Sequence, residues 1–539
     1  MLNLRRWTLR NGPGLILSLF ASISFAQPAP TDRPPSPSGA VPSAAQLRWH
    51  ELEFYGFLHF TVNTFTDKEW GYGDEPEQIF NPTALDARQW AQVAHDAGMK
   101  GLIITAKHHD GFCLWPSRYT EHSVKNSPWK QGRGDVLREL SAACREFGLK
   151  FGVYLSPWDR NRADYATPDY LTYYRNQLRE LLTNYGPTFE VWFDGANGGD
   201  GFYGGAREKR RIDNSTYYDW ENTWQIVRQL QPQAVMFSDA GPDVRWVGNE
   251  RGVAFENSWM TLDRRLIYPG YPEYRRYAPG QPNGTDWVPP EVDVSIRPGW
   301  FYHASEDSKA KTAAQLVEIY YQSVGRSANL LLNIPPDRRG LIPENDARQL
   351  REFRRILNAT FRTDLARAAR ATAFSTRGPK FSAAHVNDGL ADSYWAAPDG
   401  VTTNSLTLEW KEPQTCDRVV LQEFIPLGQS IMQWALEAEQ RGGNWGEIGA
   451  GQTIGYKRII RFEPITTSRI RLVIKGAKAT PTLRSFEAYL SPRGRGEGRE
   501  RRTFSGFNVR RVASEHSFLN PLAPPKSRGE EEEPRLIQW

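Results

Sequence analysis

The stretch Phe189-Glu190-Val191-Trp192-Phe193-Asp194-Gly195-Ala196 decides how this chain is read. Phe189, Val191, Trp192 and Phe193 form a short run of the β-branched and aromatic kind that suits a strand buried in a parallel sheet. The run ends on one carboxylate, Asp194, and a small-residue turn follows at once. An unpaired charge at a buried strand tip is costly. Asp194 therefore either caps the next helix or stands at a working site.

Working outward, the same unit recurs. The spacing of apolar residues predicts helices over 84–97, 135–147, 168–185, 218–230 and 313–325, with Gly98, Gly148 and Gly186 closing the first three. Each helix is followed by an apolar strand with a polar tip: GLIITAKHHDGF, FGVYLSPW, FEVWFDGA, AVMFSDA and ANLLLNIPP. A first strand is expected over 54–65. This alternation predicts an α/β fold, a closed (β/α) barrel of TIM type over 46–362, with its chemistry at the carboxyl ends of the strands. Those ends carry His59 and Asn63, His108, His109 and Asp110, Tyr154 and Trp158, Asp194, Ser238 and Asp239, and Asn333.

Over 366–491 helical periodicity fades into short alternating stretches (SLTLEW, RVVLQEF, RIIRFEP, RIRLVIKG, SFEAYL), the pattern of an all-β sandwich domain. Residues 27–45 are rich in Pro, Ser and Ala and read as a flexible linker. Residues 492–539, with Arg/Gly/Glu-rich and acidic runs, read as disordered. Residues 1–26 have the order of a signal peptide: Arg5, Arg6 and Arg10, an apolar run too short to span a bilayer, then small residues. The expectation is a secreted or periplasmic protein with no membrane span.

The composition narrows the function classes. A net charge of +5 over 539 residues is no argument for nucleic acid as a partner. The 39% hydrophobic content and mean hydropathy of −0.60 indicate a soluble chain. Three cysteines make no disulfide framework. Nineteen tryptophans suit a protein that stacks rings on sugar faces, although a large aromatic core looks the same.

A glycosidase working through two carboxyl groups needs one ionised and one protonated, roughly 5–5.5 Å apart in a retaining enzyme. Asp194 is the natural nucleophile. The partner acid could be Glu250, Glu256 or Glu291, and spacing alone does not choose. His108 and His109 would point to opposite faces of a regular strand, so both reach one ligand only if the chain bends there. No HExxH or CxxC pair is present, and neither a metal nor a cofactor is expected. The glycines from Gly198 to Gly205 read as a flexible loop over the site.

The motifs FLHFTVNTF, AKHHDGFCLWPS, FGVYLSPWD, VWFDGA, GPDVRWVGNE, VDVSIRPGWFYH and LLLNIPPDRRG, in that order, resemble glycoside hydrolase family 29, the retaining α-L-fucosidases. The closer resemblance is to its subgroup active on α-1,3/1,4-linked fucose. It implies an irregular (β/α) barrel followed by a β-sandwich, with a fucosylated glycan as substrate. It also implies Asp194 as nucleophile and Glu250 as acid/base, with Glu256 and Glu291 in reserve. The fucose pocket it implies comprises His59, His108, His109, Tyr154 and Trp192, with Glu69, Trp70 and Trp300. NDGLADSYWAA and the closing SFEAYL resemble a galactose-binding, discoidin-like sandwich, which would bind sugar or buttress the barrel. The other readings are a non-catalytic, lectin-like protein and a glycosidase acting on another sugar; the oligomeric state is not fixed by the sequence.

Overall fold

The structure, a computed structural model, describes residues 31–492. The expected signal peptide and, apart from residue 492, the expected tail lie outside the described residues. Eight parallel strands close into a barrel in chain order: β1 (Phe54–Leu58), β2 (Gly101–Lys107), β3 (Lys150–Leu155), β4 (Thr188–Trp192), β5 (Val235–Ser238), β6 (Val244–Trp246), β7 (Pro290–Ser295) and β8 (Asn329–Asn333), with β8 pairing back onto β1. The helices Ala87–Asp96, Val136–Glu146, Pro168–Asn184, Trp220–Leu230, Ala313–Gln322 and Glu344–Thr360 form the outer layer. Asp86 and Asp135 cap the first two through their side chains. Gly98 ends the first at φ +81°, a conformation that disfavours a side chain.

Two hydrophobic layers follow from the period-2 alternation of the strands. Val191 and Phe193 point outward into the layer beneath the helices, with Leu102, Ile104 and Val153. Tyr55, Phe57, Ile103, Tyr154, Trp192, Phe237 and Leu331 fill the barrel itself. Each such side chain removed from water contributes about 1.5–3 kcal/mol.

The barrel is irregular where the sequence signal is weakest. The expected first strand over 54–65 stops at Leu58, and the chain turns into a short helix at Asn63–Thr66. No α-helix lies between β5 and β6, nor in the long connection between β6 and β7. The glycine loop after β4 is no free flap: Gly199–Gly201 and Glu208–Arg210 pair as a small antiparallel ribbon. Arg160 clasps it, donating to Asp200 O (2.6 Å), and Tyr203 accepts a bond from Trp158 Nε1 (2.9 Å).

Beyond the barrel the domain is all-β. Strands Arg370–Ala373, Asn404–Gln422, Arg458–Ala477, Ile431–Glu439 and Trp445–Gly451 lie in that spatial order and antiparallel, and Ser485–Tyr489 pairs with Asn404–Gln422. It docks on the barrel through Arg461–Glu318 (2.8 Å), the Lys457–Glu53 pair and Ser327 Oγ to Ile454 O (2.7 Å). Residues 31–43, expected as a flexible linker, are instead pinned to the sandwich. The Thr31 and Ser38 N–H groups donate to Arg377 O (2.8 Å) and Leu427 O (2.9 Å), and the Arg377 guanidinium donates to Arg33 O. A proline-rich segment is already extended, so fixing it costs little entropy. Among the described residues no helix is long and apolar enough to cross a membrane.

Candidate active site

Asp194 stands two residues beyond the end of β4, half-buried in the barrel mouth. Its Oδ1 accepts from the Ala196 N–H (2.7 Å) and its Oδ2 from the Tyr154 hydroxyl (3.0 Å). Burial raises its pKa above the ordinary carboxylate value, while the donors at Ala196, Tyr154 and Gly195 favour the anion. His109 Nε2 lies 3.9 Å from Oδ2.

The two adjacent histidines reach one side because β2 ends at Lys107 and the chain bends there; their rings lie 4.1 Å apart. Lys107 itself points away and is held by Asp159 and Gln177 (3.0 Å each). Burial drives the pKa of His59 and of His109 down to about 3, and that of His108 well below its usual value. All three are thus neutral imidazoles at physiological pH.

The hydrogen-bond network assigns two of their tautomers. Asn333 Nδ2 donates to Ser295 Oγ (2.9 Å) and Trp300 O (2.7 Å), which turns its Oδ1 toward His59 Nδ1 (2.9 Å). Ser156 Oγ donates to Trp158 O (2.6 Å) and so accepts from His109 Nδ1 (2.7 Å). His59 and His109 therefore keep their Nε2 lone pairs for ligand hydroxyls. His108 Nδ1 is buried without a hydrogen-bond partner.

Glu250 sits at the rim, where its Oε2 accepts from Trp300 Nε1 (3.1 Å). Its pKa is raised, chiefly by burial, which outweighs the Trp300 hydrogen bond, and further by the charges of Asp194 and Glu69. Glu69 fixes the same loop, accepting from the N–H groups of Trp300 (2.8 Å) and Phe301 (3.2 Å) and bonding His303 Nε2 (2.6 Å). Trp300 packs on His59 (5.0 Å). Trp70 is half-exposed and sets its ring edge-on against His109 and Trp158. Trp192 lies deeper, in the floor, stacked between Phe237 (4.0 Å) and Tyr154 (5.4 Å).

The structure thus gathers His59, Glu69, Trp70, His108, His109, Tyr154, Trp192, Asp194, Glu250 and Trp300 around one mouth, and excludes both reserve acids. Glu256 is largely exposed and pairs with Arg458 of the sandwich (3.4 Å). Glu291 is fully buried inside the barrel, under Trp192, whose indole N–H it accepts (2.8 Å).

Two further carboxyl groups, Asp293 and Glu190, escape sequence reasoning, and a third, Asp239, stands at the strand tip where the sequence placed it. Asp239, beside Gly195, is pushed up to about 7 by burial and then by the Asp194 charge. Asp293, bonded by Trp246 Nε1 (2.7 Å), is raised by burial and by Glu250. Glu190 faces Glu291. Asp239 follows an apolar strand as Asp194 does, so its position carried the signal; Asp293 lies in a strand too polar to read, and Glu190 in an apolar strand whose inward-facing partner comes from β7. Among the described residues no cluster of three or more His, Cys, Asp or Glu side chains could hold a metal ion.

A closed parallel barrel whose mouth gathers crowded carboxyl groups, neutral histidines with free acceptor nitrogens and tryptophans has the make-up of a glycoside hydrolase. The profile of the α-L-fucosidase family matches residues 40–360, and that of the F5/8 type C domain, a β-sandwich, matches 370–486. Alpha-L-fucosidase 1 of Arabidopsis thaliana is 43% identical over 495 residues, covering 90% of this chain and 94% of its own. A crystal structure of a glycoside hydrolase 29 family member from an unknown rumen bacterium superposes with TM-score 0.77 at 45% identity, over 86% of this chain and 79% of that one. A Ruminococcus gnavus GH29 fucosidase in complex with fucose superposes equally well, TM-score 0.77, at 32% identity over 86% and 97%. The chain belongs to glycoside hydrolase family 29 and is an α-L-fucosidase.

Proposed function

We propose that the enzyme removes terminal α-L-fucose, in α-1,3 or α-1,4 linkage, with retention of configuration, using Asp194 as nucleophile and Glu250 as acid/base. The observation that carries this is the asymmetry of the two carboxyl groups. Asp194 receives three donors that favour its anion, whereas Glu250 receives one and feels the Asp194 charge. The donors around Asp194 favour its anion, and the single donor and the neighbouring Asp194 charge favour a protonated Glu250, the division of roles that a retaining mechanism needs.

In the first step an Asp194 oxygen bonds to the anomeric carbon as the glycosidic bond breaks, and Glu250 delivers its proton to the leaving oxygen. In the second, water attacks the same carbon, gives its proton to Glu250, and releases Asp194. The Nε2 atoms of His59 and His109 accept hydrogen bonds from sugar hydroxyls, and the His108 ring, packed against both, completes that wall of the pocket. Trp70 and Trp300 supply flat apolar faces for the sugar's methyl group and C–H edges.

The linkage follows the subgroup resemblance. It is tested by rates on Lewis-type trisaccharides against α-1,2- and α-1,6-linked fucosides; faster release from the latter would refute it. Retention is tested by following the anomer first released from an aryl fucoside by NMR: α-fucose is expected, and β-fucose would refute it. We further propose export, on the signal-peptide pattern of residues 1–26; mature protein beginning at Gln27 is expected, and an intact Met1 in the exported fraction would refute it.

A further inference from the structure

Beneath the mouth, on the inward faces of β4 and β7, two carboxyl groups meet that the reaction does not use. Glu190 and Glu291 are both 0% exposed and hydrogen-bonded to one another. Two facing carboxylates cannot both be ionised in a sealed apolar barrel, so one holds a proton. The donors around them show which. Glu291 Oε1 accepts from Trp192 Nε1 (2.8 Å), and its Oε2 accepts from the Tyr55 hydroxyl. Glu190 Oε2 receives the Trp49 indole N–H (3.1 Å), which also reaches the Tyr55 oxygen (2.8 Å), while Glu190 Oε1 is buried and receives no donor. Glu190 is therefore the acid, donating through Oε1, and Glu291 the anion, with its acceptor sites taken by three donors.

This anion has one tie upward. Its hold on the Trp192 N–H fixes the rotation of the indole. Tyr154 stacks on that indole, and the Tyr154 hydroxyl donates to Asp194 Oδ2. Phe237 stacks on the other face of the indole, so the ring cannot tilt without displacing both neighbours. We propose that Glu291, kept anionic by the proton on Glu190, is a positioning residue that aims the Tyr154 hydroxyl at Asp194 through Trp192. The proposal rests on the reading of Asp194 as nucleophile. Trp192 is thus an oriented link in the floor as well as an apolar surface.

The test is a double-mutant cycle on the full-length enzyme. Glu291→Leu removes the acceptor, Tyr154→Phe the donor at the far end, and Trp192→Phe cuts the link with the smallest change in volume. Glu291→Gln keeps an acceptor for the indole N–H. A misaimed donor lowers kcat by about 10- to 100-fold while changing KM little. Glu291→Leu and Trp192→Phe are expected to do so, and Glu291→Gln to recover most of the loss. The Glu291→Leu/Tyr154→Phe double variant is expected to be no slower than Tyr154→Phe alone, because both changes break one chain.

If the two single losses multiply in full in the double variant, or Glu291→Gln is as slow as Glu291→Leu, the positioning role is refuted. Should Glu291→Leu fail to fold, the Trp192→Phe/Tyr154→Phe pair carries the same test. Azide rescue of Asp194→Gly reports on the nucleophile independently, so the two readings fail separately.

Discussion

Two carboxyl pairs share this barrel, and their difference shows how one scaffold sorts charge. Asp194 and Glu250 stand at the open end, Glu190 and Glu291 in the sealed interior below. Burial raises the proton affinity of all four. At the mouth, backbone N–H groups and the Tyr154 hydroxyl stabilise one anion, while the rim position lets Glu250 exchange its proton with substrate and water. In the interior only side-chain donors are available and both carboxyl groups are fully buried, so the shared proton has no route to substrate. The upper pair is arranged to turn over, the lower pair to hold still.

The largest effect should come from breaking the upper pair. Asp194→Asn is expected to lower kcat on the order of 10⁴-fold or more, measured with an aryl fucoside, with the melting temperature little changed. Glu250→Gln should cost about 10²- to 10⁴-fold on substrates with poor leaving groups and much less on an activated aryl fucoside, whose leaving oxygen needs no proton.

The pH profile of kcat/KM sharpens the same contrast. It should be a bell, with the Asp194 limb above the ordinary value of about 3.9 and the Glu250 limb above about 4.3, because burial raises both and the Asp194 and Glu69 charges raise Glu250 further. Activity is lost on the acid side as Asp194 gains its proton and on the alkaline side as Glu250 loses its own. Glu250→Gln should abolish the alkaline limb and leave the acid one.

The lower pair should speak through stability instead. Glu190 has a raised pKa in the folded state, from burial and then Glu291. Its contribution is therefore fully present below the unfolded value of about 4.3 and is lost as pH rises toward the folded one. The slope is at most about 1.4 kcal/mol per pH unit. Glu190→Gln removes that titration, so its melting temperature relative to the parent should climb between pH 5 and 8; a constant difference would contradict the shared proton. The smallest effect belongs to Glu256→Ala, which removes an exposed carboxylate 3.4 Å from the buried Arg458 guanidinium but leaves that guanidinium its bond to the residue 256 carbonyl; it should cost about 1 kcal/mol or less and leave kcat unaltered.

Much of this was legible in the chain. The helix–glycine–strand units are local patterns, and they located β2 to β5, β8 and the polar tips that build the mouth. The strands that escaped, β6 and β7, show no apolar run long enough to read. β7 carries Glu291, Asp293 and Ser295 inward, so it shows no hydrophobic run, and β6 is three residues long. Glu190 carried no signal of its own: β4 reads as apolar around it, and only β7 supplies the partner that lets a carboxyl group point inward. Phe189 is the one partly exposed member of that run and still packs on Tyr55 at the bottom of the barrel. The fit of His108 and His109 depended on a bend after Lys107 that strand periodicity cannot express.

The most direct test of the central claim is azide rescue of Asp194→Gly acting on an aryl fucoside with a good leaving group. The account predicts that azide restores turnover and that the product is β-L-fucosyl azide, formed by direct attack from the face that Asp194 vacates. Recovery of the α-azide, or turnover by Asp194→Gly without azide at a rate near the parent's, would show that another group is the nucleophile.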